Sequence, residues 1–443
     1  MLRKFLLIGV GLISNQVNAQ ATVIATGNDG LSRPTDLAFN PNAPDQLWTV
    51  NAGINGTVML MNPGTDRQSV DKRVDNYASH FMSKVSSIAF GDDTFQGEMT
   101  FATCQDSRGN EDFMGPTLWP ASLEIYARVN QNNGLLGSHL DMLHQSPLCM
   151  GIAHDHDNVY WVADGKNAQI VRYDFQNDHG PGHDDHSDGI IRRFPEATFK
   201  RVAAIPSHLF LDKATGWLYV ADTGAGRVYR LDTHSGSFSG RLTASNEPLA
   251  EFSEWRGATI EVLAEGLAQP TGLTLADGQL FIANYVTGDI IVYDVANRTN
   301  VDTIHTGAPG ISGLTRTPDG RLWFTNSIAN TVSVLSRRAL DANESQGTNK
   351  EIDALPELSQ ASPVTPPWTK TVRKTRTSFN QLSAQSLVRS AVGSELRSLE
   401  LTCRNNSGRF SASSISTACS QLGSQYNCNG RAIARCYQPL LSE

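Results

Sequence analysis

The sequence predicts an all-β fold: a six-bladed β-propeller closed by its N-terminal strand, then a linker and a small Cys-rich C-terminal module. Three observations carry this. One strand–turn–strand unit recurs six times along the chain. A third strand follows most units after a tight turn, and a more variable fourth strand precedes the next unit. A segment near the start of the chain has the pattern of a missing fourth strand. Four-stranded antiparallel units repeated around an axis make a propeller.

The first unit is "PTDLAFNPNAPDQLWTVN" from Pro34, and the second is "VSSIAFGDDTFQGEMTFATC" from Val85. The third is "CMGIAHDHDNVYWVAD" from Cys149, and the fourth is "PSHLFLDKATGWLYVAD" from Pro206. The fifth and sixth are "PTGLTLADGQLFIAN" from Pro270 and "ISGLTRTPDGRLWFTN" from Ile311. Each pairs a short apolar strand with one rich in aromatic and β-branched residues, across a polar or Gly-rich turn. "GRVYRLD", "GDIIVYD" and "NTVSVLS" read as third strands, and "IEVLAEG" as a fourth. "TVIATG" at residues 22–27 resembles "EVLAEG", so the N-terminal strand is expected to complete the sixth unit and remove an open edge. The regular period argues against the rival readings, a sandwich or an open array.

The ends of the chain read differently. Residues 1–19 have a basic start at Arg3 and Lys4, an apolar stretch from Phe5 to Ile13, and "VNA" ending at Ala19. This is the pattern of a signal peptide cleaved near Ala19, too short to span a bilayer, and it predicts a secreted or periplasmic protein. The propeller is expected over 20–338, a polar and Pro-rich linker over 339–377, and a small disulfide-containing module over 378–443. The chain carries a net charge of −8, but residues from 368 onward hold ten Lys or Arg against three Asp or Glu. The acidic main domain excludes nucleic acid as its partner, and no transmembrane segment is present. Partners left open are a protein, a peptide or a small molecule, and oligomeric state is open too. The basic tail could meet an anionic surface or matrix, or simply be solvated. Asn55, Asn297, Asn343 and Asn405 head glycosylation sequons, relevant only in a eukaryotic source.

Six cysteines in an exported chain suggest three disulfides. Cys403, Cys419, Cys428 and Cys436 fall in the C-terminal module, where three pairings are open. Cys104 stands where other units have Asp or Asn, and Cys149 where they have Pro or an aliphatic residue. Both positions lie on one face of neighbouring units, so a Cys104–Cys149 disulfide is expected.

The third, fourth and fifth units carry patterns like "P-x-G-[ILV]-x-[ILV]-D" and "[LIV]-Y-V-[AST]-D", and on these the repeat resembles the NHL family, over residues 22 to about 338. That resemblance implies a fold and not a chemistry. The chain is also similar in fold to amidating lyases of the peptidylglycine type and to gluconolactonase-type propellers. Those place histidines, or carboxylates and asparagine, at the strand starts around the channel mouth. Here the six residues are Thr35, Ser86, Met150, Ser207, Thr271 and Ser312, so neither activity is implied. One position later, Asp36 and His208 are the titratable members, weak candidates for a catalytic or binding pair. The second strands end at Asn51, Cys104, Asp164, Asp222, Asn284 and Asn326, where Asp and Asn read as turn-makers.

Metal chemistry is suggested elsewhere. "HDHD" at 154–157 and "HGPGHDDHSDG" at 179–189 are expected at one end of the third blade, opposite the channel mouth. His154 and His156 alternate on an extended segment and should share a side. With His183 and His186, joined by His179, Asp157 and Asp184, they form the expected ligand set. Imidazole with carboxylate suits zinc or copper, with calcium the less suitable ion. The competing reading is a solvated polar loop. The functional expectation is a binding or scaffold module holding a transition metal. If the chain is an enzyme, it is a metal-dependent hydrolase or lyase working at the channel mouth. It has no phosphate loop and no G-x-S-x-G motif.

Overall fold

The computed structural model describes residues 21–130, 136–182 and 185–335. The signal peptide, linker and C-terminal module expected from the sequence lie outside the described residues.

A first strand, β1 (Ala21–Ala25), precedes the blades. Blade 1 is β2 (Pro34–Asn40), β3 (Ala43–Asn51), β4 (Gly56–Met61) and β5 (Ser69–Arg73). Blade 2 is β6 (Val85–Phe90), β7 (Thr100–Gln105), β8 (Thr117–Pro120) and the two-residue β9 (Asp141–Met142). Blade 3 begins with β10 (Cys149–His154), β11 (Val159–Asp164), β12 (Gln169–Asp174) and β13 (Ile190–Thr198). Blade 4 runs β14 (Leu209–Asp212), β15 (Trp217–Asp222) and β16 (Arg227–Asp232). A hairpin of β17 (Ser237–Arg241) and β18 (Glu251–Arg256) intervenes before the blade's fourth strand, β19 (Ile260–Ala264). Blade 5 is β20 (Pro270–Ala276), β21 (Gln279–Asn284), β22 (Asp289–Asp294) and β23 (Thr299–His305). Blade 6 is β24 (Ile311–Arg316), β25 (Leu322–Asn326) and β26 (Thr331–Leu335).

Within each blade neighbouring strands pair antiparallel, and β26 takes β1 as its outer partner, with Ala21 opposite Leu335. One departure was not expected. The β17–β18 hairpin leaves blade 4 and joins blade 3, with β18 parallel to β13, so blade 3 has six strands. Apart from a parallel pair of this kind, a meander needs only short hairpin connections.

The core lies between blades, one apolar cluster per gap. Trp48, Met59, Phe101 and Trp119 fill the gap between blades 1 and 2. Trp161, Phe194, Leu218 and Tyr229 fill that between blades 3 and 4. Leu37, Leu47 and Leu60 meet Trp323 and Val332 where blade 6 returns to blade 1. Alternation along each middle strand explains this: one face packs forward, the other back.

A belt of hydroxyls circles the inner strands. Thr35 Oγ1 donates to Val85 O at 2.8 Å, and Ser86 Oγ to Cys149 O at 2.7 Å. Thr223 Oγ1 donates to Pro270 O at 2.7 Å, Thr271 Oγ1 to Ile311 O at 2.8 Å, and Ser312 Oγ to Pro34 O at 2.7 Å. Where Met150 interrupts the series, the backbone N–H of Ser207 donates to Met150 O at 3.0 Å. Four strand-start residues, Thr35, Ser86, Thr271 and Ser312, therefore satisfy a buried carbonyl of the next blade, whereas in blade 4 Ser207 Oγ meets Thr223 Oγ1 at 2.8 Å and Thr223, just past β15, makes the bond onward.

Candidate functional site

Asp36 and His208 face each other across the channel from opposite blades. His208 Nδ1 stands 3.4 Å from Asp36 Oδ2, and His208 Nε2 donates to Thr35 O at 3.1 Å. Asp36 also accepts from the N–H groups of Ile88 at 3.0 Å and Leu37 at 2.8 Å. Burial raises the Asp36 carboxyl above its ordinary range, against the pull of His208. Beside the pair, the backbones of blades 6 and 1 approach closely. A Cβ on Gly313 would stand 2.7 Å from Asp36 Cα. On one side of the pair lies a channel cavity of about 220 Å³, walled by Ile88, Ile152, Leu209, Leu273 and Leu314, with His154 also in its lining.

A second cavity, of about 540 Å³, opens at the channel mouth, on the strand-start side of blades 1 to 4. Arg33, Lys84, Arg108 and Arg201 line it, against a single acid, Asp106. Arg201 is paired with Asp106, and Arg108 with Asp112 at 3.0 Å. Arg33 donates to Ala52 O at 3.2 Å. Arg33 and Lys84 immediately precede inner strands and take left-handed φ values of 47° and 52°. Leu148, Gln269 and Gly310, which precede the inner strands of blades 3, 5 and 6, share that left-handed conformation, so it belongs to the turn of the repeat.

Asp164, Asp222 and Asn326 make the turns the repeat suggested, whereas Asn51 Oδ1 accepts from Ser32 N and the buried Asn284 Oδ1 has no hydrogen-bond partner among the described residues. Asp164 Oδ1 accepts from Lys166 N and Asn167 N, and Asn326 Oδ1 from Ile328 N and Ala329 N. Cys104 and Cys149 form a disulfide between β7 and β10, with Cα atoms 5.2 Å apart.

The histidines separate. β10 ends at His154, so the extended alternation stops there and His154 and His156 do not share a side. His154 is buried, with Nε2 against Asp157 O at 3.0 Å and Nδ1 against Lys213 Nζ at 2.8 Å. Both of its nitrogens are thereby engaged. His156 is largely exposed and pairs with Asp155 at 2.9 Å. Asp157 donates its N–H to Asp92 at 2.8 Å. His179 Nε2 meets Asp188 at 3.0 Å. His183 and Asp184 lie outside the described residues.

His186 joins two residues that spacing did not suggest. His186 Nδ1 lies 3.0 Å from Glu247 Oε2, and His144 Nδ1 lies 2.9 Å from the same oxygen. Gln145 Nε2 donates to Glu247 Oε1 at 2.8 Å. The His144 ring stacks on Phe113 with centroids 3.3 Å apart. Burial alone would raise the Glu247 carboxyl, but the hydrogen bonds from His144, His186 and Gln145 outweigh it and hold it down to about 2. Asp141 Oδ1 is 4.0 Å from His186 Nε2. Burial pushes the Asp141 carboxyl well up, and the nearby Asp188, Glu247 and Asp185 push the same way. Glu247 comes from the β17–β18 loop, 103 residues from His144, so no local motif could reveal the group.

Comparison with solved structures finds matches of low identity. An auxiliary nutrient binding protein from Bacteroides ovatus shares 12% identity over 72% of this chain and 77% of its own, with a TM-score of 0.47. One from Bacteroides thetaiotaomicron shares 11% over 68% of each, with a TM-score of 0.45. Virginiamycin B lyase from Staphylococcus aureus shares 11% over 72% of this chain and 86% of its own, with a TM-score of 0.43. Matches at these identities and TM-scores assign no activity to this chain. No family model and no curated protein matches the chain.

Proposed function

We propose that this chain is an extracytoplasmic propeller that binds a small anionic molecule, bearing carboxylate or phosphate, in the cavity at its channel mouth. One observation carries the reading: four cations and one acid line that cavity, in a chain whose net charge is −8. Lys84 is exposed, and among the described residues its ammonium has no hydrogen-bond or ion-pair partner. Arg side chains beside it offer forked donors suited to a planar anion. The cavity falls in the size range of small-molecule sites. The Cys104–Cys149 disulfide fits an oxidising compartment. A transition metal belongs to the same reading as a structural element away from the cavity. Asp36 and His208 are engaged with each other and with backbone, which favours a scaffold role over catalysis.

Calorimetric titration with di- and tricarboxylates and phosphate esters tests this. Binding should weaken as salt is raised. Lys84→Glu or Arg108→Glu should weaken it by about tenfold or more, with the fold intact. Retention of affinity in both variants, or a preference for neutral ligands, would overturn the proposal.

A further inference from the structure

The geometry points to a metal site: His144, His186 and Glu247 hold one divalent transition-metal ion that fastens the β17–β18 hairpin to blades 2 and 3.

The three ligand atoms lie within 4.8 Å of one another, and all three side chains are buried or nearly so. Two imidazoles turn the same kind of nitrogen, Nδ1, toward one carboxylate oxygen. The backbone N–H of His144 points at that oxygen too, at 3.3 Å. Three N–H donors on one oxygen exceed what its lone pairs accept well. Two imidazole lone pairs and a carboxylate around an ion fill the space better. Two His and one Glu is a ligand set that zinc takes with water in the fourth position.

A second observation is independent of the three. Among the described residues, Asp141 Oδ2 is buried and has no hydrogen-bond partner. Its other oxygen lies beyond His186 Nε2, where a carboxylate orients a metal-bound imidazole. A cation at Nδ1 would tighten that contact by making the Nε2 proton more acidic. Nitrogen donors favour zinc or copper over calcium.

The ligands come from three separate segments. His144 lies between β9 and β10, His186 between β12 and β13, and Glu247 between β17 and β18. The ion would therefore act on architecture. This site rests on the scaffold reading above, but it does not depend on the channel-mouth ligand.

The test uses the full chain without a polyhistidine tag, stripped by chelator and titrated separately with Zn²⁺, Cu²⁺, Co²⁺ and Ca²⁺. One equivalent of Zn²⁺ or Cu²⁺ should bind, Ca²⁺ should not, and Co²⁺ should give visible bands of a four- or five-coordinate N/O site. His186→Ala and Glu247→Gln should each weaken binding by at least about tenfold, and His156→Ala should leave it unchanged. Zn²⁺ should raise the melting temperature of the native chain and not of His186→Ala. Circular dichroism checks that the variants fold. His186 is on a partly exposed loop, so its variant decides the matter if Glu247→Gln unfolds. Binding of less than roughly a tenth of an equivalent by the native chain overturns the site. So does binding that survives both ligand variants, or that falls in His156→Ala instead. Loss of anion binding with metal binding intact would count against the channel-mouth reading alone.

Discussion

His208 and Asp36 tie blade 4 to blade 1 across the channel, Nδ1 to Oδ2 at 3.4 Å. Removing either side chain leaves the other buried without its partner. Asp36→Ala and His208→Ala are each expected to cost roughly 3–5 kcal/mol. The double variant should cost less than their sum, because the pair is a single unit. Urea unfolding followed by tryptophan fluorescence measures this. Strictly additive losses would show that the two residues act separately.

Acid should weaken the fold through His139. Burial holds its imidazole down to about 4, against an ordinary 6.5. A base whose folded value is depressed stabilises the fold fully above 6.5. That stabilisation is lost as pH falls from 6.5 toward 4, since the unfolded chain takes the proton first. The loss amounts to about 3 kcal/mol for a shift of this size. His80 and His154 are also lowered by burial and add in the same direction. Melting temperature recorded from pH 8 to pH 4 should fall most steeply below 6.5. His139→Gln should flatten that slope.

The Cys104–Cys149 bridge spans 45 residues of sequence. In the chain-entropy picture, a loop of that length stabilises by about 3–4 kcal/mol. Paired Cys104→Ser and Cys149→Ser substitutions should lower stability by that amount without opening the ring, since Ser86 still donates to Cys149 O in the native arrangement. Non-reduced peptide mapping should recover the linked fragments, and free thiols at both positions would refute the bridge.

Repetition made much of the architecture readable. Six recurrences of one unit located the inner strands, and cysteines in neighbouring units located the bridge, although Gln105 and not Cys104 holds the place of the Asp and Asn residues that end the other second strands. The strand-start Ser and Thr residues were visible too, but they read as the absence of ligands. Their role as donors to the next blade depends on a partner 40 to 63 residues away, or 278 for Ser312, which closes the ring onto Pro34. His154 and His156 misled for a local reason: the strand ends between them, and Asp157 turns with a left-handed φ of 45°. The grouping of His186 with His144 and Glu247 was beyond reach, because it needs the β17–β18 hairpin to cross from one blade to another. Nothing in that stretch of sequence states which sheet it will join.

That crossing also imposes an order on synthesis. Blade 3 opens at Cys149 but its sheet is incomplete until Arg256 has left the ribosome. By then β14, β15 and β16 of the following blade already exist and still lack β19. The two blades are thus interleaved in time, each awaiting residues that lie beyond the other's first strands. A chain stalled between them would present two unfinished edges at once, so this junction is where the nascent protein most needs shelter from self-association.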